Sequence, residues 1–142
     1  MKLMKPLFAC LALASATPAF AGDLTIDLSG VQAAKGDLFV GVQTREQFLK
    51  DAGTYGTIVR APVAGAHHLV IKDVAAGDYS ISVWHDVDGD GKFSKAANGM
   101  PTDGWSMVGA EKLRAEPVWD QVKIAVPASG KTAKLAMIYA AK

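Results

Sequence analysis

The chain is poor in cysteine, in aromatic residues and in net charge, and beyond its N-terminal segment it has no long apolar run. Its single cysteine, Cys10, has no partner within the chain and falls in a stretch expected to be removed. Disulfide stapling and thiol catalysis are therefore both excluded for the mature protein. Lys and Arg total 15 against 14 acidic residues, and loss of Lys2 and Lys5 leaves the balance slightly acidic. Near-neutrality argues against a nucleic-acid partner, which selects a basic stripe, and against electrostatic docking on anionic lipid. No segment after the N-terminus approaches the ~20 apolar residues of a membrane-spanning helix, so no integral membrane segment is expected in the mature chain. Internal repeats and low-complexity tracts are also missing, which sets aside solenoids and disordered linkers.

What is present begins with an address. Met1 to Lys5 form a basic region, Pro6 to Ala16 an uncharged apolar run, and Ala19-Phe20-Ala21 a small-residue cleavage site. That order describes a signal peptide over residues 1–21 and a mature domain over residues 22–142, exported to the periplasm or the medium. Leu7-Phe8-Ala9-Cys10 resembles a lipobox, but the apolar run that should precede such a cysteine follows it instead. The mature length suits one domain able to bury about two-thirds of its unfolded surface.

Alternation is the dominant period of that domain. Leu24, Ile26 and Leu28 point one way, and Leu38, Val40 and Val42 repeat the pattern. Further strands are expected at His68–Ile71, at Tyr79, Ile81 and Val83, at Val122, Ile124 and Val126, and at Leu135, Met137 and Tyr139. Turn residues separate them, among them Ala76-Gly77-Asp78, Asn98-Gly99 and Ser129-Gly130. Only Thr44 to Asp51 reads as helical, with Thr44 as cap, Glu46 in the first turn, and Phe48 and Leu49 facing inward. Short strands at this spacing predict an all-β, single Greek-key β-sandwich with one short helical turn. Residues 86–116 alternate poorly, and a connection of that length in a compact domain is usually functional or pinned by an ion.

One segment carries a definite chemistry. In His85-Asp86-Val87-Asp88-Gly89-Asp90-Gly91-Lys92 three carboxylates fall at alternate positions and a glycine closes the run. This D-x-D-x-D-G pattern is how a short loop wraps oxygens around calcium. Asp86, Asp88 and Asp90 would give side-chain oxygens, Gly91 the sharp turn and Lys92 its carbonyl. Ser94 falls where a water-mediated contact is usual, but Ala97 stands where an EF-hand places its bidentate glutamate. The loop is therefore not an EF-hand. Asp103 is expected to fold back as the missing ligand, because Asn98-Gly99 and Asp103-Gly104 can both reverse the chain. An oxygen-only shell favours calcium over zinc, and such a site should bind weakly, at about 10⁻⁵ to 10⁻³ M. The competing reading is a plain polar turn, in which each Asp bonds its own backbone and the glycines supply positive φ. Against it, three neighbouring carboxylates repel one another unless a cation or base intervenes, a task Lys92 and Lys95 can share only in part.

Val74-x-x-Gly77-x-Tyr79-x-Ile81-x-Val83-x-His85-Asp86, then Asp88-Gly89-Asp90-Gly91-Lys92, then Asn98-Gly99-Met100-Pro101-Thr102-Asp103-Gly104 resembles the bacterial family called domain of unknown function 2141. Gly41-Val42 followed by Phe48, and the closing Ile138-Tyr139, are similar to that family's ends. The resemblance implies an exported small β-sandwich of the prealbumin-like or carboxypeptidase-regulatory-like kind, and it implies no activity. The family pattern often carries Asn where this chain has Asp88 and Asp90, and Glu where it has Asp103. All three differences keep an oxygen ligand.

Other candidates are weaker. His67 and His68 are adjacent on a strand and so face opposite ways, which keeps them from sharing one ion. His85 opens the acidic loop beside Asp86, and no serine, threonine or cysteine near it stands in a nucleophile motif, so hydrogen bonding within the loop is its expected role. Trp84 alternates away from the inward Tyr79, Ile81 and Val83, and Trp105 follows Asp103 closely. Together with His85 they are candidates for a ligand-binding surface, because an aromatic beside a calcium loop can stack on a glycan or a peptide. Each is also a candidate cover for one end of the core. Tyr79 is expected in the core, with its hydroxyl on a nearby carbonyl as at a tyrosine corner. The leading expectation is a non-catalytic exported domain with a calcium-type loop, binding an unidentified protein or glycan or serving as envelope scaffold. The alternatives are a metal-assisted hydrolase using His85, Asp86 and Asp103 around a metal-bound water, and an aromatic binding module on Trp84 and Trp105.

Overall fold

The computed structural model describes residues 20–50 and 52–141. The expected signal segment, with Cys10 and the lipobox-like run, lies outside the described residues apart from Phe20 and Ala21. The described chain is all-β, with eight strands in two sheets: β1 (Ala21–Val31), β2 (Leu38–Gln43), β3 (Tyr55–Val59), β4 (Gly65–Ala75), β5 (Gly77–His85), β6 (Gly104–Met107), β7 (Lys123–Val126) and β8 (Lys131–Ala136).

Period-two patterning decides which face each strand buries. Leu24, Ile26 and Leu28 of β1 are buried, while the alternating Asp23, Thr25 and Asp27 are half-exposed. β1 lies at the centre of a three-stranded sheet, antiparallel to β4 and parallel to β8. The second sheet runs β3-β2-β5-β6. The edge of β5 turned away from β2 is shared in succession: β7 pairs with Gly77–Ser80 and β6 with Ser82–His85. The core fills the space between the sheets, with β1's apolar face against Leu38, Val40, Val42, Ile81 and Val83. Each fully buried Leu or Ile there is worth about 1.5–3 kcal/mol relative to exposure.

The turn from β4 to β5 is tied by the expected tyrosine. Tyr79 Oη donates to the Ala75 carbonyl at 2.8 Å, and Ala75 N–H donates to Tyr55 Oη at 3.1 Å. The two rings meet edge to face, 5.9 Å between centroids. A second cluster, Met107, Ala110 and Val122 with Phe48, Trp105, Leu113 and Ile138 around it, forms where residues 108–122 fold back onto β6. This segment holds a short 3₁₀ turn at Ala110–Lys112 and one α-helical turn at Trp119–Val122.

Three local expectations change. The stretch from Thr44 is not a helix but two successive turns, Gln47 N–H to Thr44 O at 3.2 Å and Lys50 N–H to Gln47 O at 2.9 Å; Asp51 lies outside the described residues. Gln47 Oε1 accepts from Thr44 N, Thr54 N and Thr54 Oγ1, closing the loop on itself. The chain must then return against β2, where a Cβ on Gly53 would sit 2.3 Å from the Val42 carbonyl. Phe48 turns inward as expected, but Leu49 adopts positive φ and is exposed. The last strand also begins earlier than expected, at Lys131, and ends at Ala136. Ile138 then crosses to the other sheet and exchanges two backbone hydrogen bonds with Trp105 of β6. Strands β3 and β6 were not foreseen, since neither Tyr55–Val59 nor Gly104–Met107 offers more than two strong apolar residues.

Candidate functional site

The acidic loop leaves the end of β5 and returns into β6, so its two ends are adjacent strands of one sheet. Its base is fixed by residues 35–37. Lys35 N–H donates to Val87 O at 3.3 Å and Asp86 N–H to Asp37 O at 3.0 Å. Gly36 passes so close that a Cβ there would lie 2.1 Å from the Asp86 carbonyl oxygen. Farther out, Lys95 bridges Pro101, Ala96 N–H donates to Met100 O at 2.8 Å, and Gly99 takes positive φ. This is the reversal expected at Asn98-Gly99, and it carries Asp103 back to the start of the loop.

Asp86 and Asp103 are buried, 5% and 2% exposed, while Asp88 is exposed. Each of the three offers a carboxylate oxygen, and these oxygens all lie within 4.8 Å of one another. Asp86 gathers the loop's amides: Oδ1 accepts from Gly89 N (3.0 Å) and Asp90 N (3.2 Å), and Oδ2 from Gly91 N (2.9 Å). Asp103 does the same from the other side, with Oδ1 accepting from Val87 N (3.1 Å), and Oδ2 from Ser94 N and Trp84 Nε1 (both 3.0 Å). Asp88 and Asp90 each accept the amide two residues on, at 3.1 and 2.8 Å. Gly89 and Gly91 supply positive φ. The turn chemistry and the carboxylate convergence therefore coexist. Asp90 lies outside the converging group, and the Lys92 carbonyl accepts Ser94 Oγ at 3.4 Å. The pKa of Asp88 is raised. The hydrogen bond from Asp90 pulls it down, but desolvation and the negative charges of Asp90 and Asp103 outweigh that pull.

His85 is fully buried and turned toward Tyr139, whose hydroxyl lies 2.8 Å from Nδ1. The same hydroxyl accepts Gln32 N–H at 3.0 Å, so the contact ties the end of β5 to the segment after β1 and to Tyr139 rather than to the loop carboxylates. Burial lowers the His85 pKa, against the opposing pull of the Gly36 backbone and of Asp103 and Asp86. The other histidines stay apart as alternation requires, His67 Nε2 at 2.8 Å from Val63 O and His68 Nδ1 at 2.7 Å from Asp27 Oδ1.

Trp84 and Trp105 are brought together as cross-strand partners on the outer face of the β3-β2-β5-β6 sheet. With Phe39 opposite Trp84 and Ile58 opposite Phe39, the row Ile58–Phe39–Trp84–Trp105 crosses all four strands. Beside it runs a row of small residues, Gly56–Gly41–Ser82. The result is a trough of about 700 Å³ with an aromatic wall, closed on its far side by Leu49 and Gly53. Trp84 stacks on Phe39, 4.6 Å between centroids at 18°, and meets Phe93 of the acidic loop edge to face at 6.2 Å. Phe39 and Phe93 were missed from sequence. The signal for Phe39 was available, since it alternates with inward Leu38 and Val40 just as Trp84 does with Val83. Nothing in the sequence pointed to Phe93.

Comparison with known families gives one match: the model of the family described as uncharacterized protein conserved in bacteria (DUF2141) fits residues 26–134. The chain belongs to this family. The match runs from the middle of β1 through most of β8, and so includes the whole acidic loop and the aromatic wall. No curated protein and no solved structure matches the chain.

Proposed function

We propose that this DUF2141 protein is a non-catalytic binding or scaffold domain of the cell envelope, a Greek-key sandwich of the prealbumin-like kind whose long loop is clamped by calcium. Export to the periplasm or the medium is part of the proposal and rests on the order of residues 1–21. The observation that carries the metal reading is the return of Asp103 to Asp86 and Asp88. Ligand oxygens on opposite sides of a calcium ion lie about 5 Å apart, twice the metal–oxygen distance, and the three carboxylates meet that span. Each carboxylate oxygen has two acceptor sites. Asp86 Oδ2 and Asp103 Oδ1 each use one on an amide, which leaves each with a free acceptor site for a cation. An all-oxygen set suits calcium rather than zinc. The Lys92 carbonyl and water would complete the shell, and with so few carboxylates affinity should be weak, about 10⁻⁴ M.

No chemistry is routed through His85, since a general base must reach its substrate and this ring is sealed beneath the sheet end. A second reading is supported by the aromatic row: Trp84 and Trp105 line a surface for a glycan or a peptide of a partner protein. Quenching of tryptophan emission by such ligands tests it.

The calcium reading is tested by melting the protein with and without the ion. At about 5 mM calcium a site of this affinity adds about 2 kcal/mol to folded-state stability, raising Tm by about 8 °C. Asp88→Ala, which takes away the oxygen ligand at an exposed position, should remove that increment and leave the melting curve in chelator nearly unchanged. A wild-type curve that is identical in calcium and in chelator overturns the proposal.

A further inference from the structure

We propose that Trp84 is the positioning residue of the acidic site: its indole N–H aims the Asp103 carboxylate at Asp86 and Asp88, and so couples the aromatic face of the sheet to the state of the loop. The inference rests on the calcium reading above. Asp103 sits at the far end of a long excursion, and the Val87 and Ser94 amides that hold its two oxygens belong to that same excursion. Ligand side chains are oriented by partners that do not touch the metal, and loss of such a partner costs about 10- to 100-fold in metal affinity. Trp84 is suited to that role because it belongs to the sheet. Its ring stacks on Phe39 of β2 and meets Phe93 of the loop edge to face, so the direction of Nε1–H is set by packing on the sheet. Nε1 donates to Asp103 Oδ2, which also takes Ser94 N–H. Oδ1 carries only the Val87 amide and keeps acceptor capacity.

The same contacts run in the other direction. Phe93 precedes Ser94, so the amide that binds Asp103 and the ring that leans on Trp84 are neighbours on one stretch of loop. Drawing Asp103 onto an ion tightens that stretch and seats Phe93 against the indole. Coupling between two sites is reciprocal, so whatever loosens Trp84 should weaken the cation site, and filling the site should order Trp84.

The test combines calorimetric calcium titration with indole N–H spectra of the ¹⁵N-labelled protein, in which Trp84, Trp105 and Trp119 give separate peaks. In the wild type the Trp84 peak should shift along the calcium titration and its exchange with solvent should slow, while the Trp119 peak stays in place. Trp84→Phe keeps an aromatic ring but removes the donor, and its calcium dissociation constant should rise about tenfold. Trp119→Phe, in a separate turn packed on Phe48, should bind as the wild type does. Calcium binding with an unmoved Trp84 peak, or with undiminished affinity in Trp84→Phe, overturns the positioning role and leaves the calcium reading standing. A wild type that takes up no calcium overturns both. Should Trp84→Phe fail to fold, the wild-type indole peak alone decides.

Discussion

Removing the Asp103 side chain is the perturbation that reports most directly on how this loop is held. Asp103 is 2% exposed and accepts three hydrogen bonds, from the Val87 and Ser94 amides and from the Trp84 indole. In Asp103→Ala all three donors lose their acceptor at once. A hydrogen bond to a charged group is worth about 1.5–3 kcal/mol, and a buried donor left unsatisfied costs about 1–3 kcal/mol. The three share one acceptor and water can enter part of the gap, so the losses will not add in full. Relief of repulsion toward Asp86 and Asp88 offsets a further part. The net expectation is a destabilisation of about 4 kcal/mol. With a urea m-value of about 2 kcal/mol per M, the midpoint falls by about 2 M. The measurement belongs in excess chelator, so that loss of a metal ligand does not contribute. Asp103→Asn keeps one acceptor oxygen but turns an NH₂ group toward a donor, and should cost about half as much. A midpoint within about 0.3 M of the wild type for Asp103→Ala would refute the claim that this carboxylate organises the loop.

Two further outcomes follow from the packing and the charges. A Cβ on Gly104 would lie 2.3 Å from Tyr139 Cε1, so Gly104→Ala should displace that ring, break its bonds to His85 and Gln32, and cost about 2–3 kcal/mol in urea unfolding; a neutral result would show that the C-terminal segment does not seal the sandwich end. The Asp37 carboxyl is held below the usual aspartate value of 3.8, first by the hydrogen bond from Arg60 and then by the Ala61 amide. A depressed carboxyl stabilises the folded state above its unfolded pKa, and that contribution is lost as pH falls through the folded value. Asp37→Asn should therefore be less stable than the wild type above the ordinary aspartate range, and the gap should close as pH falls below it, read by urea midpoints across a pH series.

Much of the architecture was legible in the sequence because it depends on a local, repeating signal. Strict alternation in Leu24–Leu28, Leu38–Val42 and Tyr79–Val83 placed three central strands and their buried faces, since a strand with one face in the core has little choice of phase. The tyrosine tie was likewise legible in the position of Tyr79, two residues after Gly77. β3 and β6 were illegible for the converse reason. Tyr55-Gly56-Thr57-Ile58-Val59 and Gly104-Trp105-Ser106-Met107 carry little apolar pattern of their own, and they become strands because β2 and β5 offer open edges. The Thr44 segment went the other way: its helix-like spacing yielded to the return of Gly53 against β2 and to the three donors gathered by Gln47.

By itself the sequence determined which donor atoms the loop can offer. Asp86, Asp88 and Asp90, with glycines at the tight positions, offer carboxylate oxygens, and the turns at Asn98-Gly99 and Asp103-Gly104 made Asp103 available. Only the tertiary structure decided which carboxylates meet. Asp90 stays outside while Asp103 joins, because Asp103 leads into β6, and β6 pairs with the very strand from which the loop departs. The same pairing sets Trp105 beside Trp84, turns His85 away toward Tyr139, and puts the indole of Trp84 within reach of Asp103. Residue identity settles what a side chain can bond. Strand register settles which side chains are close enough to do so, and register depends on partners that are distant in the chain.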